Sequence, residues 1–382
     1  MNPRVQEIGG SLIREIASKK KPGSIDLGLG EPSLKPSMHF WTAAVEETAQ
    51  HGLRYTVNAG ELALREAISA HYAYPNHAHP DNVCVTTGSQ EAVYVVIKTL
   101  LDPRQDEMLV VEPAFPAYAK MGKLEGVVVR SVAMDPQEDF AFDADRILEA
   151  ITDRTRLIVI CSPCNPTARV VSHDTVEKLS KALLARPGEP IYVLHDEIYR
   201  EQTYCANPGA FAKSYPHTIV TNSLSKSNAL TGLRLGWSLA PKEIAPAIVK
   251  AHAWVTSCAS TFAQRVALEI FKTPGGLQEH AGWYREQALG VNESLIASGL
   301  RFIQPEGSFY ACVALPAGID SLTAAHTLAD QYDVIAIPGV AFGASFEGWL
   351  RLSWVAPLEL VHDGLTRIAE FCRSGALNAT GS

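Results

Sequence analysis

The stretch HTIVTNSLSKSNALTGLRLGW, residues 217–237, decides how the rest of the chain is interpreted. It begins with the β-branched, apolar run 218–221, which is typical of a short buried strand. Serines and Lys226 follow this run, and Arg234 comes eight residues later between two glycines. Hydroxyl and guanidinium groups suit a phosphate, and a lysine in a partly dry pocket deprotonates more easily and can attack a carbonyl. The stretch therefore indicates a site for a ligand with both groups, and a solvated loop lysine is the alternative.

The same string resembles a known cofactor segment. Its pattern, S-x-S-K followed by G-x-R-x-G, is similar to the lysine segment of the class I, aspartate aminotransferase-like, enzymes of fold type I. These enzymes use pyridoxal 5'-phosphate. The resemblance implies that Lys226 holds this cofactor as a Schiff base, and that Ser223, Ser225 and Arg234 anchor its phosphate.

Composition describes an ordinary globular enzyme. The chain has 382 residues, of which 47% are hydrophobic, so it can bury a large core and form two domains. A formal net charge of −8 argues against a nucleic-acid surface, and no apolar run is long enough to span a bilayer. Seven scattered cysteines and the lack of a secretory signal predict reduced thiols and a cytoplasmic location.

Two further predicted strands end in residues that suit parts of such a cofactor. A strand over 83–87 leads into Gly88, Ser89 and Gln90, and a turn of small residues at a helix N-terminus suits a phosphate. A strand over 108–111 precedes Phe115, whose ring could stack on a flat heterocycle. All four residues match family positions. Taken singly, an ordinary capped turn and a core aromatic residue are the alternatives.

The next two predicted strands supply groups for the cofactor ring. A strand over 156–160 leads to Asn165, in a sequence similar to the family's N-P-T-G with Ala168 in place of the glycine. A strand over 191–194 leads to Asp196 and Tyr199. The resemblance implies that Asn165 and Tyr199 bond the phenolic oxygen, and that Asp196 keeps the ring nitrogen protonated. A buried acid at a strand end needs such a cationic partner.

Some features of these segments have other interpretations. Cys161 and Cys164 form a C-x-x-C pair, but no second pair lies nearby at metal spacing, so no metal site is predicted. The segment around Asp196 could instead be a solvated turn or, less often, a metal site. Gly28-x-Gly30 suggests a dinucleotide-binding motif. However, a serine occupies the position of the third glycine, and nearby prolines prevent the helix that should follow this motif.

Three more positions match the family's substrate and subunit contacts. In the resembled family, the turn that contains Gly30 covers the substrate. Arg351 is an arginine inside an apolar strand, and such a residue needs a carboxylate partner. The resemblance implies that Arg351 grips the substrate's α-carboxylate, and that Tyr55 reaches the cofactor phosphate of a neighbouring subunit. The active sites would then be shared across a homodimer. Arg265 and Arg285 are candidates for a second, side-chain arginine.

The predicted fold is α/β, of the pyridoxal-phosphate-dependent transferase type. A large domain with a mostly parallel, seven-stranded sheet would span 41–274, and a smaller α+β domain would comprise 275–382 with part of the N-terminal arm, 1–40. The resemblance implies that the smaller domain combines both ends of the chain. Apolar spacing predicts helices over 4–17, 243–272 and 277–297, and the small, polar end 376–382 is expected to fray.

The predicted function is transfer of an amino group from an L-amino acid to a 2-oxo acid, with Lys226, Asp196 and Tyr199 as catalytic residues. A carbon–sulfur lyase that uses β-elimination at the same site is the alternative. A cofactor-sensing regulator is remote, since such proteins carry a basic winged-helix domain in front of this fold. The resemblance runs from about Leu27 to Ser353 and leaves the amino donor open.

Overall fold

The computed structural model describes the backbone of residues 1–379 and the side chains of residues 1–374. The strands are β1 Ile25–Asp26, β2 Val83–Thr86, β3 Glu107–Glu112, β4 Val128–Ala133, β5 Thr155–Cys161, β6 Tyr192–Asp196, β7 Thr218–Ser223, β8 Gly236–Leu239, β9 Phe302–Ile303, β10 Tyr310–Ala314, β11 Val334–Ile335, β12 Ile337–Pro338 and β13 Trp349–Ser353.

The α-helices connect and cover these strands. They are α1 Pro3–Glu7, α2 Leu12–Ala17, α3 Met38–His51, α4 Leu62–Tyr72, α5 Ser89–Leu100, α6 Ala117–Glu125, α7 Ala144–Glu149, α8 His173–Leu184, α9 Phe211–Ser214, α10 Leu224–Ser227, α11 Ala245–Val255, α12 Thr261–Lys272, α13 Ala281–Ser298, α14 Ser321–Gln331 and α15 Leu358–Ala379.

The main sheet has seven strands in the order β2-β8-β7-β6-β5-β3-β4. Strands β7, β6, β5, β3 and β4 pair in parallel, and β8 runs antiparallel between β7 and β2. The residues of β7 are all buried, and those of β5 nearly so, as expected when helices cover both faces of a parallel sheet. The predicted mostly parallel, seven-stranded sheet is confirmed.

The direction of the strands decides where a site can form. Because β2 and β7 are both antiparallel to β8, β2 points the same way as the parallel strands. Six of the seven strands therefore have their carboxyl ends at one edge of the sheet. In open α/β sheets, ligands bind at this edge.

A smaller part of the fold combines the two chain ends. A four-stranded antiparallel sheet has the order β12-β13-β10-β9, and α13 packs against α15. Strand β1 pairs with β11, with Ile25 opposite Val334, so the N-terminal segment joins the C-terminal region. This is the α+β part that was predicted beside the main sheet. The domain boundaries at residues 40 and 274 stay a prediction.

Two predicted helices are each broken in two. The expected helix over 4–17 is interrupted at Gly9 and Gly10, which separate α1 from α2 because glycine is costly inside a helix. The expected helical stretch over 243–272 divides into α11 and α12. Ser257 adopts φ 72°, and the Ser260 hydroxyl then accepts from the backbone N–H of Ala263 to begin a new helix.

Two strands were not predicted, and the chain end is only partly described. Strand β4 is mostly exposed at the sheet edge and β8 is four residues long, so both lack a strong apolar signal. Helix α15 continues to Ala379, into the segment expected to fray, and residues 380–382 lie outside the described part. Within residues 1–379, none of the helices combines the length and apolar character needed to cross a membrane.

Candidate active site

The predicted cofactor residues converge on one edge of the main sheet. Most of them lie at or just beyond the carboxyl ends of five strands: Gly88 after β2, Phe115 after β3, Asn165 after β5, Asp196 at the end of β6, and Ser223 at the end of β7. The apolar runs of the sequence predicted a strand before each of these residues, and the sheet order brings the strand ends together.

Lys226 lies on α10, a single turn that follows β7 directly. The Ser223 hydroxyl caps this turn by accepting from the backbone N–H of Ser225 at 3.1 Å. The Lys226 ammonium donates to the carbonyl oxygen of Gly30 at 2.7 Å. Burial, assisted by the positive charge of Arg351, lowers the pKa of Lys226 to about 8. This lysine is therefore much easier to deprotonate than one in water.

Gly88, Ser89 and Arg234 form an anion cradle at the N-terminus of α5. Gly88 has φ 87° and ψ 161°, a conformation that glycine adopts almost alone. It precedes the first turn of α5, where the backbone N–H groups have no partner within the helix. A Cβ on Gly88 would lie 2.5 Å from Nη2 of Arg234. The Arg234 Nη1 atom donates to the carbonyl of Thr231 at 3.0 Å, which holds the guanidinium in place.

Asp196 is buried and accepts two side-chain hydrogen bonds. The Tyr118 hydroxyl donates to its Oδ2 at 2.6 Å and the Thr221 hydroxyl donates to its Oδ1 at 3.1 Å. Burial raises the pKa of Asp196 to about 6, although both hydrogen bonds oppose the rise. Among residues 1–374, no lysine or arginine forms a salt bridge with this carboxylate. A cation in contact with Asp196 would stabilise its ionised form.

Arg351 is a buried arginine on β13. Its Nη1 donates to Oδ1 of Asn165 at 3.2 Å, and its Nη2 donates to the carbonyl of Gly28. The guanidinium carbon lies 4.4 Å from the centre of the Tyr310 ring and 5.0 Å from that of Phe342. Its Nε has no hydrogen-bond partner, and no carboxylate of residues 1–374 forms a salt bridge with it. Arg351 can therefore still accept a carboxylate ligand.

Tyr199 and Asn165 complete the wall beside Arg351. The hydroxyls of Tyr199 and Tyr310 lie 3.0 Å apart, and burial raises the pKa of Tyr199. Ala168, which replaces the expected glycine, adopts φ 60°, a left-handed conformation that favours glycine. Asn165 nevertheless lies beside Arg351 and accepts a hydrogen bond from it, a contact that the sequence did not predict.

The structure does not bring every predicted residue into the site. Tyr55 is 88% exposed, Gln90 is exposed, and Phe115 is half-buried with its ring 5.9 Å from that of Tyr118. Arg265 donates instead to the Thr48 hydroxyl and to the carbonyl of Gly52 beside α3. Tyr55 was expected to act on a second subunit, so its exposure in one protomer agrees with that role without testing it.

The C-x-x-C pair lies behind Asn165 as two buried thiols. Cys161 donates to the carbonyl of Pro163 at 3.3 Å, Cys164 donates to that of Pro113 at 3.5 Å, and burial raises the pKa of both thiols. The described residues contain no group of three or more His, Cys, Asp or Glu side chains that could hold a metal ion. All seven cysteines are free.

Three site contacts were missed by sequence reasoning. Tyr118 on Asp196 is the clearest, and Tyr310 and Phe309 also line the site. Tyr118 lies three residues after Phe115, in the first turn of α6, so its position beside a predicted site residue was the one available signal. Phe309 and Tyr310 lie at the start of β10, and nothing in their spacing in the sequence assigned them a contact with the site.

Comparison with known families agrees with this geometry. Residues 22–368 match the family described as aminotransferase class I and II. The chain belongs to this family. Class I and II aminotransferases are fold-type I proteins, and the family generally works with pyridoxal phosphate. The chain is therefore an aminotransferase.

Individual aminotransferases cover almost the whole chain. A probable N-acetyl-LL-diaminopimelate aminotransferase of Bacillus subtilis is 32% identical and covers 97% of this chain and 95% of its own length. The aspartate aminotransferase of Pyrococcus horikoshii is also 32% identical, with coverage of 96% and 95%. A single mutant of the Thermus thermophilus aspartate aminotransferase superposes with a TM-score of 0.89 at 30% identity, covering 97% of this chain and 99% of that one.

Proposed function

We propose that this aminotransferase holds pyridoxal phosphate through Lys226 and moves an amino group from an L-amino acid to a 2-oxo acid. The observation that carries the proposal is a pair of buried, opposite charges without ionic partners. Asp196 has no lysine or arginine salt bridge, and Arg351 has no carboxylate salt bridge, within residues 1–374. A protonated ring nitrogen would pair with Asp196, and the α-carboxylate of an amino acid would pair with Arg351.

The remaining parts of the cofactor also find suitable groups. The cradle of Gly88, Ser89 and Arg234 offers backbone N–H groups, the positive end of a helix dipole and a guanidinium, all of which suit a phosphate. Lys226, with its pKa lowered to about 8, suits an aldehyde. These residues fit pyridoxal phosphate as a set, because each group of the cofactor has a matching partner.

The chain's own residues divide the chemistry among them. When bound, pyridoxal phosphate supplies an electron sink for the pair left behind when the Cα–H bond of the donor breaks. Arg351 would hold the donor's carboxylate. The ionised carboxylate of Asp196 would pair with the ring nitrogen and keep it protonated. Lys226 Nζ, once free, would take the Cα proton as a general base and return a proton as a general acid. Asn165 and Tyr199 would orient the ring through its phenolic oxygen.

Substituting Gly88 by alanine is expected to weaken cofactor binding. The backbone there has φ 87° and ψ 161°, so an alanine costs on the order of 1–3 kcal/mol, and its Cβ also displaces Arg234. We expect the dissociation constant for pyridoxal phosphate, measured by fluorescence titration, to rise at least about 10-fold. Gly232→Ala is the matched control, because nothing lies within 4 Å of its Cβ position. Equal binding by both variants would contradict the cradle.

Substituting Arg351 by methionine is expected to remove recognition of the donor's carboxylate. Losing one partner of a buried charge pair costs about 2–5 kcal/mol, which is about 30-fold to several thousand-fold in kcat/KM. Kinetics should be compared for the L-amino acid that reacts fastest in a donor panel and for the matching amine, which lacks the carboxylate. We expect the wild type to prefer the amino acid strongly and the variant to lose most of that preference. A preserved preference would show that another group binds the carboxylate.

The homodimer remains part of the proposal. Leu53, Tyr55 and Val57 are 63%, 88% and 63% exposed in one protomer, so one short segment exposes three large apolar side chains. We infer that this segment lies in an interface, where Tyr55 would reach the cofactor phosphate of the partner subunit. A cytoplasmic location likewise remains a prediction.

The direct test of the activity is a panel of amino donors. Holoenzyme is mixed with each L-amino acid without a 2-oxo acid, and the visible absorbance of the bound cofactor is followed. Transamination predicts conversion to the amine form, and recovery when a 2-oxo acid is added. Sustained release of pyruvate and ammonia from cysteine-like donors, without any acceptor, would instead indicate the carbon–sulfur lyase.

A further inference from the structure

The turn that carries Lys226 is too short to be stable by itself. Helix α10 has four residues, and helices of this length do not persist in water without tertiary contacts. Carbonyl groups at the end of a helix also lack partners within the helix. Whatever binds these carbonyls therefore fixes the position of the lysine.

Two side chains donate to the backbone carbonyl of Lys226. The Tyr284 hydroxyl donates at 2.9 Å and the Gln202 Nε2 atom donates at 3.1 Å. Tyr284 comes from α13, and Gln202 ends the short 3-10 turn that follows Tyr199. Tyr284 is 1% exposed and Gln202 is fully buried. Because leaving a buried polar group unpaired is destabilising, both donors favour the conformation in which the carbonyl faces them.

Tyr284 also acts on the other end of the lysine, through a second aromatic ring. Its ring stacks on Phe309, with centroids 6.0 Å apart and an interplanar angle of 18°. The centre of the Phe309 ring lies 5.7 Å from the ammonium nitrogen of Lys226. One side chain on α13 therefore contacts the backbone of Lys226 directly and borders its ammonium group through Phe309.

We propose that Tyr284 is a positioning residue for Lys226, with Gln202 as a second support of the same carbonyl. The inference rests on the proposed function, in which Nζ must reach the Cα proton of the donor. Proton transfer requires heavy atoms within hydrogen-bond reach, and a displacement of about 1 Å can cost on the order of 100-fold in rate. Through Tyr284, the C-terminal part of the chain sets the place from which the lysine reacts.

The test is the Tyr284→Phe holoenzyme, which keeps the ring stacked on Phe309 and loses only the hydroxyl. We expect kcat to fall by about 10-fold to 100-fold, while KM for the amino donor changes less than about 2-fold because Arg351 is untouched. We also expect the pH midpoint of the bound cofactor's visible absorbance to shift by more than about 0.5 units, since the lysine nitrogen changes its surroundings.

Tyr215→Phe is the matched control. The Tyr215 hydroxyl is buried and also donates to a backbone carbonyl, that of Ile191 at 2.6 Å. Ile191 directly precedes β6, so this contact lies at the edge of the sheet opposite the site. A general loss of packing would affect both variants equally. If Tyr284→Phe and Tyr215→Phe have the same kcat and the same pH midpoint, Tyr284 does not position Lys226.

A second variant protects the test against misfolding. Gln202→Met removes the other donor to the Lys226 carbonyl, so it should lower kcat and shift the pH midpoint in the same direction as Tyr284→Phe. If it behaves like wild type, the idea that this carbonyl must be held fails. If the wild-type protein shows no visible cofactor band after incubation with pyridoxal phosphate, the proposed function itself is refuted, and this inference with it. The two failures are therefore distinguishable.

Discussion

Replacing Lys226 by alanine is expected to lower kcat/KM for transamination at least about 10⁴-fold, the upper range for a positioned acid or base. The lysine has two roles in the account, as the covalent holder of the cofactor and as the group that moves the Cα proton. The Nζ atom of Lys226 donates to the Gly30 carbonyl, and no other lysine or histidine side chain of residues 1–374 does so. Pyridoxal phosphate should still bind, because the phosphate cradle and Asp196 remain.

The measurement is steady-state kinetics together with cofactor content after dialysis. Lys120→Ala is a suitable control, since the Lys120 ammonium also donates to glycine carbonyls, those of Gly9 and Gly10, at 3.0 and 2.6 Å. This second lysine lies on α6, and the account gives it no chemical role. Full activity in Lys226→Ala, or an equal loss in Lys120→Ala, would contradict the assignment.

Replacing Asp196 by asparagine is expected to change activity and stability in opposite directions. Without an anion opposite the ring nitrogen, kcat/KM should fall by about 10²-fold to 10⁴-fold. The cofactor-free protein should instead become more stable at pH 7.5. Burial raises the pKa of Asp196 from 3.8 to about 6, so the native state binds this proton more tightly than the unfolded chain does. Stability therefore falls as the pH rises through the window from about 4 to 6, and it stays lower above that window.

Asparagine removes this cost because it has no charge to bury. The gain at pH 7.5 is on the order of 2–3 kcal/mol, following 1.36 kcal/mol per pKa unit. Urea unfolding of the cofactor-free wild type and variant at pH 4.5 and 7.5 measures it. The difference should be about 3 kcal/mol at pH 7.5 and only about 1 kcal/mol at pH 4.5. A variant that is less stable than wild type at pH 7.5 would show that Asp196 is already compensated by the protein alone.

Much of the fold could be predicted from the sequence because parallel strands bury both faces. The run 218–221 and the other predicted strands of the main sheet are short and almost entirely apolar. Each is followed by polar residues or glycine that a core would not favour. The breaks within 4–17 and 243–272 were missed because apolar spacing continues across them. Gly9, Gly10 and the φ 72° of Ser257 interrupt the helices all the same.

The site was predictable where one residue type suits one chemical task. Burial of a charged group is costly, and three charged residues lie at strand ends or inside a strand: Lys226, Asp196 and Arg351. Their positions therefore already indicated a ligand. Tyr118 and Tyr284 could not be assigned in this way. Tyr118 bonds a residue 78 positions away and Tyr284 one 58 positions away, and either could equally be a core aromatic residue. Only the tertiary structure shows which carbonyl or carboxylate receives each hydroxyl.

The most direct test of the account is to locate the lysine that is bonded to the cofactor. Holoenzyme is treated with sodium borohydride, which makes an imine between lysine and pyridoxal phosphate permanent, then digested and analysed by mass spectrometry. The account predicts a phosphopyridoxyl group on Lys226 and on no other lysine at stoichiometric yield. A label on a different lysine, or a protein that takes up no label after incubation with pyridoxal phosphate, would contradict it.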